Sequence, residues 1–171
     1  MRIRPAVAAD AYAIAEVHVA SWRSTYVGLL PDEVLTNLSV ERRQQYWHGE
    51  LTQPRNPHFI YVAESEDDQI VGFASGGPVR DSRPPYTGEL YAIYLLAEHQ
   101  GKGIGRALAH AIAEHLRAQG MNAMLVWVLK GNPAAQFYEA LGGEYVAEKP
   151  LTIGGANQIE IAYGWTDTRM I

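Results

Sequence analysis

The residues of this chain best suited to chemistry are Gln100-Gly101-Lys102-Gly103-Ile104-Gly105. They follow an apolar run and precede the strongest helical pattern in the sequence. Glycines there let backbone approach a ligand closely. The free N–H groups of the helix's first turn then point at that ligand, and the helix dipole favours negative charge. This combination suits a phosphate or pyrophosphate. The string GxxxxGK[ST] of a nucleoside-triphosphate loop does not occur. A dinucleotide fingerprint needs GxGxxG and an acidic residue about 20 positions on. Here the third glycine, Gly105, comes one residue early, and no Asp or Glu lies between Glu114 and Glu139. Gly72 to Gly76 is not GxSxG, so there is no nucleophile elbow. The spacing from His110 to Glu114-His115 is neither HExxH nor HxxEH, and both histidines are expected on the surface of a helix. No metal site is expected.

The elements that must hold this turn are readable from periodicity. Glu89 to Leu96 is a nearly continuous apolar strand, expected to be buried on both faces. Gly103 to Gln119 is a helix, with Ile104, Leu108, Ile112 and Leu116 recurring every four residues and Gly120 at the C-terminal cap. Met124 to Leu129 is a second buried strand. Asn132-Pro133 opens a helix that Gly142-Gly143 ends. This β–α–β–α–β run, from Glu89 to Lys149, predicts parallel pairing with helical crossovers. Before it lie a short strand at Arg2–Arg4, a helix over Ala6–Ala20 that Asp10 could cap, and a helical region from about Pro31 to Gly49. A loop then spans Leu51–Pro57, followed by a hairpin of strands 58–63 and 70–75. Arg80 to Pro85 reads as an exposed, arginine-rich loop. Tyr145–Lys149 and Ile159–Trp165 close the chain as strands. The expected fold is α/β (α+β), with a mixed sheet of about seven strands and about four helices.

The 171 residues fit one domain, 1–171. Apolar residues make up 47% and charged residues 19%, which excludes disorder along the whole chain. A formal net charge of −5 argues against general nucleic-acid binding. The absence of cysteine excludes disulfides, thiolate metal sites and a cysteine nucleophile. No apolar run is long enough to span a membrane, and a cytoplasmic location is the default expectation.

The string LYAIYLLAEHQGKGIGRAL, followed by MLVWVLKGNPAAQFYEALGG, resembles the GNAT superfamily of acyl-CoA-dependent N-acetyltransferases. Gln100, Gly103 and Gly105 match its Q/R-x-x-G-x-G/A signature. Asn132, Ala135, Phe137, Tyr138, Leu141 and Gly142 match a second element in the expected order. The resemblance implies two splayed parallel strands, here Glu89–Leu96 and Met124–Leu129. It implies acetyl-CoA as co-substrate, with its pyrophosphate on the amides of Gln100, Gly101, Lys102, Gly103, Ile104 and Gly105 and Arg106 nearby. Pantetheine would pair with main-chain groups of Tyr94 and Leu95. Asn132 would contact the same arm, and Ala134 and Phe137 would pack on it. The resemblance further implies Glu89 as general base and Tyr138 as the general acid that protonates the leaving thiolate.

An amine acceptor with a pKa near that of lysine, about 10, is protonated at neutral pH and must lose a proton before it attacks. The helices and loop expected to wall its site contain Trp22, Tyr26, Tyr86 and Tyr46-Trp47. There Trp22, Tyr26 and Tyr86 could form an aromatic wall, while Arg23 or Arg83 could hold a carboxylate. The resemblance therefore implies a small-molecule amine acceptor. A protein lysine or N-terminus is the alternative, and a non-catalytic acyl-CoA-binding module is a third reading, disfavoured by the presence of Glu89 and Tyr138. Because members of the superfamily often dimerise through their final strands, a homodimer is a further possibility it raises.

Overall fold

The structure is a computed structural model that describes residues 1–54 and 57–171. Seven strands form one sheet: β1 (Arg2–Pro5), β2 (Phe59–Glu64), β3 (Ile70–Arg83), β4 (Tyr86–Leu95), β5 (Met124–Leu129), β6 (Glu144–Ile153) and β7 (Ala156–Trp165). Their spatial order is β1-β2-β3-β4-β5-β7-β6. Only β4 and β5 pair in parallel. The sequence expectation of successive parallel pairs is corrected at β6. The last strand, β7, inserts between β5 and β6 and pairs antiparallel with both. A two-glycine turn makes this possible: Gly154 and Gly155 both have positive φ, at 56° and 79°, so β6 and β7 form a longer hairpin than alternation predicted.

The helices are α1 (Ala11–Thr25), α2 (Asp32–Thr36), α3 (Val40–Thr52), α4 (Ile104–Ala118) and α5 (Ala134–Ala140). The sequence periodicity identifies α4 almost to the residue. Leu108, Ile112 and Leu116 are fully buried, each contributing about 1.5–3 kcal/mol by removing its side chain from water. Gly88 lets this helix lie close on β4, since a Cβ there would stand 2.9 Å from Leu116 Cδ1. Alternation along β2 separates the two faces of the sheet. Phe59, Tyr61 and Ala63 face the α4 layer, while Ile60 and Val62 pack with Phe73 under α1 and α3.

Several boundaries move. The first helix begins five residues later than predicted and runs on to Thr25, which carries Trp22 and Arg23 onto it. Asp10 does not cap it. Its carboxylate accepts from the Val7 amide at 2.8 Å and from Arg4 at 2.7 and 2.9 Å. The helical region expected over Pro31–Gly49 is split into α2 and α3, because Ser39 Oγ accepts from the Arg42 amide and starts a new helix. The expected loop over Leu51–Pro57 includes Arg55 and Asn56, which lie outside the described residues, and Leu51 and Thr52 belong to α3. Arg80–Arg83 is strand rather than loop. It continues β3 to an Arg83–Tyr86 pair, and the chain turns at Pro84-Pro85. His115 is half-buried rather than on the surface, with its ring stacked on Phe59 at 3.8 Å and its Nδ1 3.0 Å from the Tyr61 hydroxyl.

The α1–α3 layer is joined through His18. Its Nδ1 accepts from Trp47 Nε1 at 3.1 Å, and its ring stacks on Tyr94 at 5.3 Å. Burial, and then the Arg43 charge, push its pKa down to about 3. The native state therefore refuses a proton that the unfolded chain, with an ordinary histidine pKa near 6.5, accepts. This contribution to stability is complete above pH 6.5 and is lost as the pH falls towards 3. Stability measured by urea unfolding should fall between pH 6.5 and 5, approaching about 1.4 kcal/mol per pH unit from this group. His115, whose pKa burial also lowers, adds a slope of the same sign. His18→Gln, which keeps an acceptor for Trp47, should flatten the profile; an unchanged slope would refute the assignment.

Candidate active site

β4 and β5 pair only from Gly88–Leu90 to Met124–Val126. Past Leu90 the strands separate, and a cavity of about 890 Å³ opens between Tyr91–Leu95 on one side and Trp127–Leu129 on the other. A register shift marks the point of departure. Ser75 opposes Ala92 while Gly76 opposes Leu90, which leaves Tyr91 as an extra, bulged residue. β5 is meanwhile held on its far side by six consecutive residue pairs with β7, Met124–Trp165 to Leu129–Glu160.

The strand alternation decides which main-chain groups face the opening. The Leu96 amide donates to Val71 O on β3, and Tyr94 O also lies on the β3 side, 3.0 Å from where a Cβ on Gly72 would sit. The groups of Ile93 and Leu95 therefore face the open edge. Of the two residues expected to offer backbone there, Leu95 does so and Tyr94 does not; Tyr94 contributes its side chain. Leu95 O already accepts from Ser21 Oγ at 3.0 Å.

The glycine turn lies at one end of this opening. Gly101 and Gly103 have φ of 71° and 79°, the left-handed region that strains other residues. Gly103 is the N-cap of α4, whose helical bonding starts with the Ala107 amide on Gly103 O at 3.1 Å. The amides of Ile104, Gly105 and Arg106 are thus left without helical partners. Gly105 needs its missing side chain for another reason: a Cβ would meet the Phe137 ring at 3.1 Å and Leu95 Cδ1 at 3.4 Å. Gln100, Gly101, Gly103, Gly105 and Arg106 line the cavity. Lys102 is exposed beside them.

α5 forms the opposite wall. Asn132 Oδ1 accepts from the Ala134 amide at 2.9 Å and its Nδ2 reaches the Tyr26 hydroxyl at 3.4 Å, so this buried residue holds the first residue of α5 and ties it to the end of α1. Ala134, Phe137 and Tyr138 line the cleft. Tyr138 is buried, with its ring 5.4 Å from that of Phe137. Burial raises its phenol pKa, so it holds its proton at neutral pH. Burial likewise raises Tyr26 and Tyr94.

A second cavity, of about 380 Å³, opens on the α1–α3 face of the sheet. It shares Trp22, Arg80, Tyr91, Ala92 and Tyr94 with the cleft. Glu89 lies behind it, 1% exposed, with one carboxylate oxygen accepting from the Arg80 guanidinium at 2.5 and 3.1 Å and the other from the Arg80 amide at 2.9 Å. The Arg80 guanidinium covers the Tyr91 ring at 4.6 Å. Tyr91 donates to Pro78 O, and burial followed by the Glu89 charge push its pKa up to about 12. Also lining the cavity, His58 has its Nδ1 paired with the Glu50 carboxylate.

Of the residues expected at the acceptor, Trp22 and Tyr26 line these cavities. Arg23 does not. Its guanidinium donates to the carbonyls of Leu35 and Leu38 and ties α1 to α2. Arg83 lies over the Trp127 ring at 5.5 Å, at the margin of the cleft, and Tyr86 packs on Gly164. Neither lines either of these two cavities, because the segment carrying them is a hairpin that continues the sheet. Sequence reasoning missed Arg43, Glu50, His58, Ser75 and Tyr91. One signal was present: Arg43, Tyr46, Trp47 and Glu50 fall at i, i+3, i+4 and i+7, a single helix face.

Residues 16–142 match the acetyltransferase (GNAT) family. The chain is 41% identical over 165 residues to the uncharacterized N-acetyltransferase YuaI of Bacillus subtilis, covering 96% of this chain and 92% of that protein. It is 32% identical over 111 residues to the L-methionine sulfoximine/L-methionine sulfone acetyltransferase of Pseudomonas aeruginosa, covering 63% of this chain and 62% of that one. Its fold is similar to that of the PaiA N-acetyltransferase from Thermoplasma acidophilum, solved in complex with coenzyme A, with a TM-score of 0.71 at 20% identity over 96% of this chain and 98% of that one. An open mixed sheet, a glycine turn at a bare helix start and a family match across most of the sequence agree: this chain belongs to the GNAT family of acetyltransferases.

Proposed function

We propose that this acyltransferase moves an acetyl group from acetyl-CoA to the primary amine of a small molecule, by direct attack with both substrates bound. The observation that carries this reading is the junction of two cavities at the bulge of β4, one beginning at the free amides of α4 and the other lined by polar and aromatic side chains. The amides of Ile104, Gly105 and Arg106 would receive the diphosphate. The outward main-chain groups of Ile93 and Leu95 would receive the pantetheine arm as an added strand edge. An acceptor cavity of about 380 Å³ suits a metabolite, and this favours a small molecule over a protein side chain.

The acceptor amine must lose a proton as its nitrogen attacks the thioester carbonyl carbon. The C–S bond then breaks, and the departing thiolate takes a proton. Tyr138 supplies that proton in this reading, since burial keeps its phenol protonated and its ring borders the cleft. Glu89 is the proposed base, acting through a water at the Arg80–Glu89 pair, because both of its oxygens already accept from Arg80. One observation supports a second carrier of the same proton. His58 Nδ1 is held by Glu50, and its other ring nitrogen, Nε2, has no partner among the described residues.

Calorimetry with acetyl-CoA, followed by a thiol-release assay over a panel of amines, tests the whole reading, and a protein that ignores acetyl-CoA ends it. Gly103→Ala should weaken coenzyme A binding about tenfold or more, because a strained turn misdirects amides bonded to a charged group. Tyr138→Phe should lower kcat about 100-fold with little change in acetyl-CoA affinity; unchanged turnover would remove it as the acid. Glu89→Gln should lower kcat to a similar degree. If Glu89→Gln turns over normally and His58→Gln does not, the base is His58.

A further inference from the structure

The acceptor cavity holds an unusual concentration of unsatisfied polar atoms. Six buried side-chain N or O atoms lack a hydrogen-bond partner among the described residues. Four of them belong to residues that line this cavity: His18 Nε2, Trp22 Nε1, His58 Nε2 and Ser75 Oγ. Buried polar groups are normally paired, and unpaired atoms gathered around one space are groups that a polar ligand would satisfy.

Two of the four are donors on the same side. Trp22 Nε1 can only donate. His18 accepts from Trp47 at Nδ1, so its remaining proton sits on Nε2, which therefore donates. The two rings lie 5.6 Å apart. Arg43 lies over the Trp22 ring at 5.8 Å, and a stacked guanidinium still offers its N–H edge to a planar anion. Of the other charged side chains here, Arg80 is paired with Glu89, and Glu50 is hydrogen-bonded to His58 Nδ1. Among the described residues Arg43 forms no ion pair, so it is the one unpaired cation lining the cavity.

We propose that the acceptor is an amino acid, an amine that also carries a carboxylate, and that Arg43, His18 Nε2–H and Trp22 Nε1–H hold the carboxylate. This rests on the acetyl-transfer reading and narrows it. The anion hydrogen-bonds to both orphaned donors and pairs with the one unpaired cation, and the aromatic side chains of Trp47 and Tyr46 line the space for the rest of the molecule. The carboxylate anchor therefore comes from α1 and α3, not from Arg23 or Arg83.

The test uses the purified protein, acetyl-CoA and matched acceptor pairs: methionine with 3-(methylthio)propylamine, phenylalanine with phenethylamine, tryptophan with tryptamine. The acid member of at least one pair should be preferred about 10- to 100-fold in kcat/KM, mainly through a lower KM, as expected for hydrogen bonds to a charged group. Arg43→Gln should abolish that preference and Arg43→Lys should restore part of it. Acetyl-CoA affinity by calorimetry shows that each variant is folded. Equal or better use of the acid-free amines, no use of any amino acid, or a preference that survives Arg43→Gln would each overturn the proposal. In all three cases a protein that still binds acetyl-CoA leaves the transfer reading standing, and one that does not bind it removes both.

Discussion

Two adjacent parallel strands that stop pairing inside the protein create the constraint on which this structure depends. Buried backbone donors and acceptors must find partners, and a sheet that opens in its middle leaves those of Ile93 and Leu95 to be satisfied. The fold meets part of this demand itself, since Leu95 O accepts from Ser21 Oγ. It keeps the strands from closing by giving β5 a stronger attachment elsewhere. β5 shares six residue pairs with β7 and three with β4. The late strand β7 thus holds β5 from its far side, away from β4, and the gap lies between β4 and β5.

The bulge at Tyr91 has a second consequence. Without it, Leu90 would share a face with Ala92 and Tyr94. With it, Leu90 packs in the α4 layer, while Ala92 and Tyr94 pack with the α1–α3 layer. One extra residue therefore lets β4 bury leucine beneath α4, present the Arg80–Glu89 pair and Tyr91 beside the acceptor cavity, and release its edge to the cleft. The two cavities meet at Tyr91, Ala92 and Tyr94 for that reason.

What was legible in the sequence was local. The turn from Gln100 to Gly105 could be read because positive φ at Gly101 and Gly103 and a close approach at Gly105 each demand glycine within a few residues. The four-residue spacing of Ile104, Leu108, Ile112 and Leu116 gave α4 because a single face meets the sheet. The insertion of β7 was not legible, since nothing near Ile159 says which distant strand it will pair with. The division of α2 from α3 depended on one serine, Ser39, capping in competition with an uninterrupted helical pattern. Arg80 looked like a loop residue because its charge is matched by Glu89, nine positions later, only once the hairpin has formed. The acceptor cavity draws on α1, α3, β3 and β4, so its residues share no sequence neighbourhood.

The two halves of the site are built from different materials, and this explains why they differ in legibility. The donor side relies on backbone: amides at the start of α4 and main-chain groups on an open strand edge, which require a conformation rather than particular side chains. Any sequence that supplies the glycines and the bulge reproduces it, so its signature is short and recognisable. The acceptor side in that reading relies on side chains from separate segments, among them Arg43, His18, Trp22 and His58, with His18 held by Trp47 and His58 by Glu50. Replacing one changes which groups remain unmatched without disturbing the sheet. Under the proposed assignment, such a fold would hold its donor chemistry constant while its choice of amine depended on a few positions of α1 and α3.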